Sequence, residues 1–340
     1  MPIRVLQVGL GPIGASIARQ VGERAGFELV GGVDLDPGKV GRDLGPVCGL
    51  GREIGGEVSG DLETALAAMK PDIAVVSTSS ALEIVAGTIE TCLAAGVAVV
   101  STTEELSFPW RERPELAKRI DEAARAAGRA VLGTGVNPGF AMDALPLALS
   151  AVCERVDGVI VRRFQDASKR RLPFQQKIGA GLSVEEFHAK VAAGGVRHVG
   201  LAESIGMLAS AFGWNLDSVT DEIWPKLAAE PVASPDLSVA AGQCSGVVQL
   251  GLGKEGDVVR IRLEFEAYLG APESYDEVEI LGSPALKSRV MAGIPGDLAT
   301  ASIVVNAIPR VLAAPPGLIT MRDVPPAHWW PGIAPAGNAG

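Results

Sequence analysis

Residues 3–14 read Ile3-Arg4-Val5-Leu6-Gln7-Val8-Gly9-Leu10-Gly11-Pro12-Ile13-Gly14, and a helix-forming run follows from Ala15 to Arg24. A second apolar run, Phe27 to Val33, then ends in Asp34. Strand, glycine turn, helix, strand and terminal acid is the order of a dinucleotide-binding unit. Each residue type has a physical task. Gly9 permits the tight turn, Gly11 lets the backbone approach a pyrophosphate, and Gly14 lets the helix pack close to the strand. Pro12 and Ile13 open the helix, where the missing proline N–H is not needed. The helix N-terminus offers amide donors and a positive dipole end to phosphates. Asp34 is expected to accept the adenine-ribose hydroxyls and repel a 2′-phosphate, which tilts the cofactor toward NAD. Lys39 and Arg42 read as solvated helix charges that leave NADP open.

Outward from this unit the alternation continues. Helical runs at Glu63–Met69, Ile84–Ala95 and Arg111–Ala127 separate apolar strands at Ile73–Val76, Val97–Val100 and Ala130–Leu132. Strands this apolar, spaced by helices, form a parallel sheet covered on both faces. Ligands of such sheets bind at the carboxyl ends of the strands. Three polar strand ends are therefore candidates: Ser77, Thr78 and Ser79; Thr102, Thr103 and Glu104; and Gly135-Val136-Asn137. Glu104 is the candidate catalytic residue. A carboxylate in a partly apolar crevice is expected to have a raised pKa and to act as a general base near neutral pH. The adjacent Glu105 reads as a cap for Leu106–Trp110.

From about Asp143 the pattern changes. Val156–Phe164, Gly242–Leu252 and Val258–Tyr268 read as longer, half-polar strands, and Ile205–Phe212 and Leu298–Ala314 as helices. Asp297 reads as the N-cap of the last helix. The fold class is thus α/β: an N-terminal Rossmann doubly wound parallel sheet plus a second α+β domain with a mixed or antiparallel sheet. The expected boundaries are 1–142 for the dinucleotide-binding domain and 143–300 for a substrate-binding and dimerisation domain. Residues 301–340 are expected to form a helix and an extended tail docked back on the body. The open sheet face of the second domain is expected to form a homodimer.

Composition narrows the function. The chain has 340 residues, 47% hydrophobic and 21% charged, with net charge −10. Such an acidic chain is a poor ligand for a nucleic-acid backbone or an anionic membrane. Four cysteines, at 48, 92, 153 and 244, have no CxxC spacing. His188, His198 and His328 do not cluster, so no metal site is expected. Reduced thiols and an N-terminal strand in place of a signal peptide point to the cytoplasm.

Several stretches together resemble a known family: Gly9–Gly14, Ser101-Thr102-Thr103-Glu104-Glu105-Leu106-Ser107-Phe108-Pro109, Gly133-Thr134-Gly135-Val136-Asn137-Pro138-Gly139-Phe140, Gln165–Arg171, Lys177–Gly181 and Gly296–Thr300. They resemble 2,4-diaminopentanoate dehydrogenases and the related native amine dehydrogenases, over almost the whole chain. The resemblance implies reductive amination of a small ketone or aldehyde with ammonia, using NAD or NADP, and its reverse, oxidative deamination. It implies that Glu104 handles the proton and that Asn137 sits near the nicotinamide. Phe140 and Met142 would begin an apolar substrate wall, with Phe164, Phe174, His198 and Thr300 as further substrate residues. Dihydrodipicolinate reductase has the same fold, but its paired histidines and Ser-Gly-Thr loop are missing here. Two readings stay open beside amine dehydrogenase: another carbonyl or imine reductase of this fold, and a non-enzymatic dinucleotide sensor.

Overall fold

The computed structural model describes residues 1–332, so residues 333–340 of the expected tail lie outside the described residues. Two compact units are present: Met1–Phe140 together with the chain from Pro295 onward, and Ala141–Ile294.

The first unit runs β1 (Ile3–Val8), α1 (Pro12–Glu23), β2 (Phe27–Val33), α2 (Leu44–Val47), β3 (Val58–Ser59), α3 (Leu62–Met69), β4 (Ile73–Val76), α4 (Leu82–Ala94), β5 (Ala98–Ser101), α5 (Pro114–Ala127) and β6 (Ala130–Gly133). The second contains α6 (Ala144–Ser150), β7 (Arg155–Asp166), α7 (Leu172–Lys177), α8 (Val184–Ala192), α9 (Leu201–Phe212), β8 (Ser218–Leu227), β9 (Val232–Ala233), β10 (Ser238–Val239), β11 (Cys244–Glu255), β12 (Val258–Tyr268), β13 (Tyr275–Ser283) and β14 (Leu286–Met291). The chain then returns to the first unit with α10 (Gly296–Ala313) and β15 (Gly317–Ile319).

The first sheet is parallel, in the order β15-β6-β5-β4-β1-β2-β3. Every residue of β4, β5 and β6 is buried, as sheet strands covered on both faces require. Leu6, Val76, Val99 and Val131 sit in one core with Leu82, Ile89 and Ile120 from the helices. Each such side chain contributes about 1.5–3 kcal/mol of burial. Strand order reverses between β1 and β4, the topological switch point of a doubly wound sheet.

The sequence placed a boundary at residue 300, with the helix and tail after it docked back on the body. The helix of this segment, α10, starts earlier, at Gly296, and belongs to the first unit. Gln20 Nε2 donates to Ser302 Oγ at 3.3 Å and Arg24 Nη1 to Asn306 Oδ1 at 2.7 Å, tying α10 to α1. The residues after Gly317 are not merely extended: β15 adds a parallel strand beside β6. Farther on, Trp330 packs edge-on against Phe27, with ring centroids 4.6 Å apart. Pro295, not Asp297, is the N-cap residue of α10, and Asp297 lies in its first turn.

The second unit is a six-stranded mixed sheet, β14-β13-β7-β12-β11-β8, in which only β7 and β12 run parallel. Helix α9 packs on β8, β11 and β12. On that face Arg163 of β7 is paired with its cross-strand partner Asp276 at 2.6 Å, with side chains 4% and 1% exposed. Arg163 Nη2 also donates to Ile294 O at 2.8 Å, and Ile294 N donates to Asp276 Oδ2 at 2.7 Å. Desolvation outweighs the pair's attraction and raises the Asp276 pKa. Such a pair adds little net stability, yet breaking one side strands a buried charge. Thermal unfolding of Arg163→Met is therefore expected to show a loss of about 3–5 kcal/mol. Arg163→Met/Asp276→Leu should regain most of it; equal stability of the natural protein and the single variant would refute this account.

Candidate active site

Four strand ends of the first unit lie side by side at one sheet edge: those of β1, β4, β5 and β6. The turn after β1 is shaped by its glycines. Gly9 has φ +86, and a Cβ on it would lie 2.7 Å from Ser77 O. A Cβ on Gly14 would lie 1.9 Å from Gly9 O. The turn is thus clamped between α1 and the end of β4, and only glycine fits at either place. Gly11 differs: a Cβ there would meet nothing within 4 Å. Its face is the open side of the turn, as a close-lying pyrophosphate requires.

Gly11 is also the N-cap of α1, with Pro12 in the first turn. Among the described residues no side chain caps this end and no acid stands in its first turn. The first amides of α1, including those of Ile13 and Gly14, are left for an anionic ligand. The residues present fit a dinucleotide.

Asp34 follows directly after β2 and is held by backbone. Leu10 N donates to Oδ2 at 2.7 Å and Asp36 N to Oδ1 at 2.9 Å. Burial pushes its pKa up, but these two N–H groups and the Lys39 ammonium outweigh it and leave Asp34 below the usual carboxylate range. Lys39 is not a solvated helix charge, as the sequence suggested. It lies in a turn, with Nζ 3.1 Å from Asp34 Oδ2. Arg42 is exposed and donates to Gly38 O at 3.3 Å.

The serine and threonine residues divide by role. Thr78 is exposed beside the glycine turn. Ser77 Oγ donates to Gly9 O at 3.1 Å and accepts from Gln7 Nε2 at 2.8 Å, so it braces the turn. Ser79 Oγ accepts from Ala81 N at the start of α4, at 3.1 Å. Thr102 is half-buried, and its N–H donates to Val76 O. Thr103 was expected to touch cofactor, but its side chain is fully buried and its hydroxyl donates to Ser79 O at 2.8 Å. It joins two strand ends and faces no open surface.

Glu104 opens a 3-10 turn, Glu104–Leu106, directly after β5. Its carbonyl accepts from Ser107 N at 3.1 Å and from Ser107 Oγ at 2.8 Å. A Cβ on Gly133 would lie 2.5 Å from the Leu106 carbonyl carbon, so a glycine at the end of β6 lets this turn lie flat on the sheet. Glu105 does not cap its own segment. Its Oε2 accepts from Leu82 N at 2.9 Å, capping α4, and Arg113 stands 3.4 Å from Oε1. Both neighbouring glutamates are half-buried, and Glu105 is committed to α4 and Arg113.

Asn137 is buried in the loop after β6, which curls back so tightly that Gly139, at φ +120, has Gly135 N 2.5 Å from where its Cβ would be. Thr300 Oγ1 accepts from Val136 N at 3.3 Å, so α10 supports this loop. Phe140 is half-buried at its end.

The remaining expected substrate residues are in the second unit. Met142 is fully buried. Phe174 packs in the core that contains Phe265 and Val247, with Arg170 4.1 Å over its ring. His198 stacks on Phe265 with centroids 4.6 Å apart. Burial, then the nearby Lys177, Arg163 and Arg197, push its pKa down to about 3, so the imidazole is neutral at working pH. Phe164 does not join them. It pairs in register with Glu266 and Tyr275, and the pleat turns it to the opposite sheet face, where it stacks on Tyr275 at 4.8 Å. Sequence reasoning also missed Gln249. Buried on β11, it accepts from His198 N at 2.8 Å and donates to His198 O at 2.9 Å. No sequence signal marks it, because its partners are distant in the chain.

Among the described residues no group of His, Cys, Asp and Glu is placed to hold a metal, and no helix is long and apolar enough to cross a membrane. Burial pushes the Cys48 and Cys92 thiols up to about 12, far from thiolate chemistry.

Comparison with known proteins agrees with this architecture. Residues 3–128 match the dihydrodipicolinate reductase N-terminus family, and residues 140–334 match the 2,4-diaminopentanoate dehydrogenase C-terminal domain family. A 2,4-diaminopentanoate dehydrogenase from Acetoanaerobium sticklandii is 32% identical, over 95% of this chain and 93% of that protein. An amine dehydrogenase from Streptomyces virginiae is 26% identical, over 63% of this chain and 60% of that protein. The structure of an amine dehydrogenase from Mycobacterium smegmatis superposes with a TM-score of 0.86 at 27% identity, covering 98% of this chain and 99% of that one. The chain is an oxidoreductase that belongs to the 2,4-diaminopentanoate dehydrogenase family.

Proposed function

We propose that the protein is a nicotinamide-dependent amine dehydrogenase that joins a small ketone or aldehyde to ammonia and reduces the resulting imine to an amine. It also runs in reverse as an oxidative deaminase. The observation that carries this reading is Glu104, a half-buried carboxylate on a pinned turn at the sheet edge that also bears the glycine turn.

Gly11 and the N-terminal amides of α1 receive the pyrophosphate, Asp34 receives the adenine-ribose, and Thr78 and Thr102 line the path between them and Asn137. A nicotinamide dinucleotide supplies the hydride when bound. The Glu104 carboxylate takes a proton from ammonium, which leaves ammonia as nucleophile. It returns that proton to the carbinolamine hydroxyl, which departs as water. The regenerated carboxylate then stabilises the iminium cation electrostatically. A carboxylate-bearing amino ketone is the second reading of the substrate, favoured by the near full-length match to the Acetoanaerobium enzyme.

The open face of the second unit's sheet supports a homodimer. It carries Trp224, 40% exposed, and an ion-pair lattice in which Arg162 meets Glu264, Glu277 and Glu279. Light scattering of the full chain should give twice the monomer mass; a monomer would remove this part of the reading.

NADH and NADPH oxidation, followed with a panel of ketones, aldehydes and 2-amino-4-oxopentanoate at alkaline pH, should require added ammonium. Equal turnover without ammonium would replace the reading with a carbonyl reductase. Glu104→Gln should lower kcat by about a hundredfold or more, while calorimetric titration shows dinucleotide affinity retained. Full activity of that variant would take the proton-handling role away from Glu104.

A further inference from the structure

We propose that Lys39 is a two-position cation that lets the adenosine end of this site take NADP as well as NAD. The inference rests on the nicotinamide reading and deepens it.

An acid at the end of the second strand ordinarily repels a 2′-phosphate. Here Asp34 is not a bare acid, because the Lys39 ammonium stands 3.1 Å from its Oδ2 and 3.5 Å from Asp36 Oδ2. The repulsion is therefore offset where the phosphate would arrive.

Lys39 is also dispensable to Asp34. Leu10 N and Asp36 N hold the two carboxylate oxygens at 2.7 and 2.9 Å from rigid backbone. If Lys39 turns away, Asp34 keeps its place and both of those hydrogen bonds. The lysine can move at little cost: its side chain is 27% exposed, and its backbone is held separately by Asp36 O at 2.9 Å. A flexible stem ending in a compact charge with three donors suits a phosphate in several orientations. With NAD bound, Lys39 stays on Asp34, and the carboxylate accepts the ribose hydroxyl. With NADP bound, Lys39 turns to the 2′-phosphate.

Isothermal titration of the full-length protein with NAD+, NADP+, 5′-AMP and 2′,5′-ADP, without substrate, tests this. The natural protein should bind NAD+ and NADP+ with Kd values within about tenfold of each other. NADP+ binding should weaken more steeply with added sodium chloride, as an exposed ion pair is screened. Loss of one charge-assisted contact should raise the NADP+/NAD+ Kd ratio of Lys39→Met by about ten- to a hundredfold. The 2′,5′-ADP/5′-AMP ratio should move with it, while Lys39→Arg keeps both ratios low. Residual NAD+ binding by Lys39→Met reports that the variant is folded. NAD+ binding without NADP+ binding in the natural protein, or an unchanged ratio in Lys39→Met, would overturn the assignment. Failure of both dinucleotides to bind the natural protein would overturn the nicotinamide reading itself.

Discussion

The contact between the glycine turn after β1 and the end of β4 is the constraint on which the rest depends. Gln7, fully buried on β1, donates to Gly9 O at 3.0 Å and to Ser77 Oγ at 2.8 Å, and Ser77 closes the triangle by donating to Gly9 O. Gly9 and Gly14 leave no room for a Cβ on either side. This triangle sits where strand order reverses, so it sets both the entry angle of α1 and the opening beside it. Such a triangle is a rigid device, since breaking any of its three hydrogen bonds would leave a desolvated group.

From there the site is built by strand ends that brace one another. Thr103 links the end of β5 to Ser79, Gly133 makes room for the turn that carries Glu104, and Ser107 pins that turn's carbonyl. Glu105 is spent on α4. These contacts fix the backbone of that turn, and the proton transfer proposed for Glu104 needs such support, because small displacements of a catalytic group cost rate. The second unit shows the same economy around His198, whose backbone is held by Gln249 and whose ring is held by Phe265.

Much of this was legible in the chain. The glycine spacing, the Asp34 position and the boundaries of β1, β2 and β4 follow from local chemistry, because parallel strands covered on both faces are largely apolar and glycine or polar turns end them. The position of Glu104 after β5 was legible because the apolar strand stops at a run of polar residues, Ser101 to Glu105. The long strands of the second unit were legible in part. β8, β13 and β14 were missed, since half-polar strands at an edge or on an open face leave a weak period-two signal. Strand β15 was missed because three residues after a Pro-Pro-Gly stop carry too little pattern to register.

What the sequence by itself determined is the class of the first unit, its glycine turn and the polar residues at its strand ends, since each rests on residues close in the chain. What only the tertiary structure decided are the pairings between distant residues. These are Lys39 lying on Asp34, Glu105 serving α4, Thr103 turned inward, Phe164 set on the opposite sheet face from His198, and α10 and β15 returning to the first unit. The physical reason is common to all of them. A side chain's partner is chosen by the register and packing of whole elements, and neither quantity is written in the few residues on either side of it.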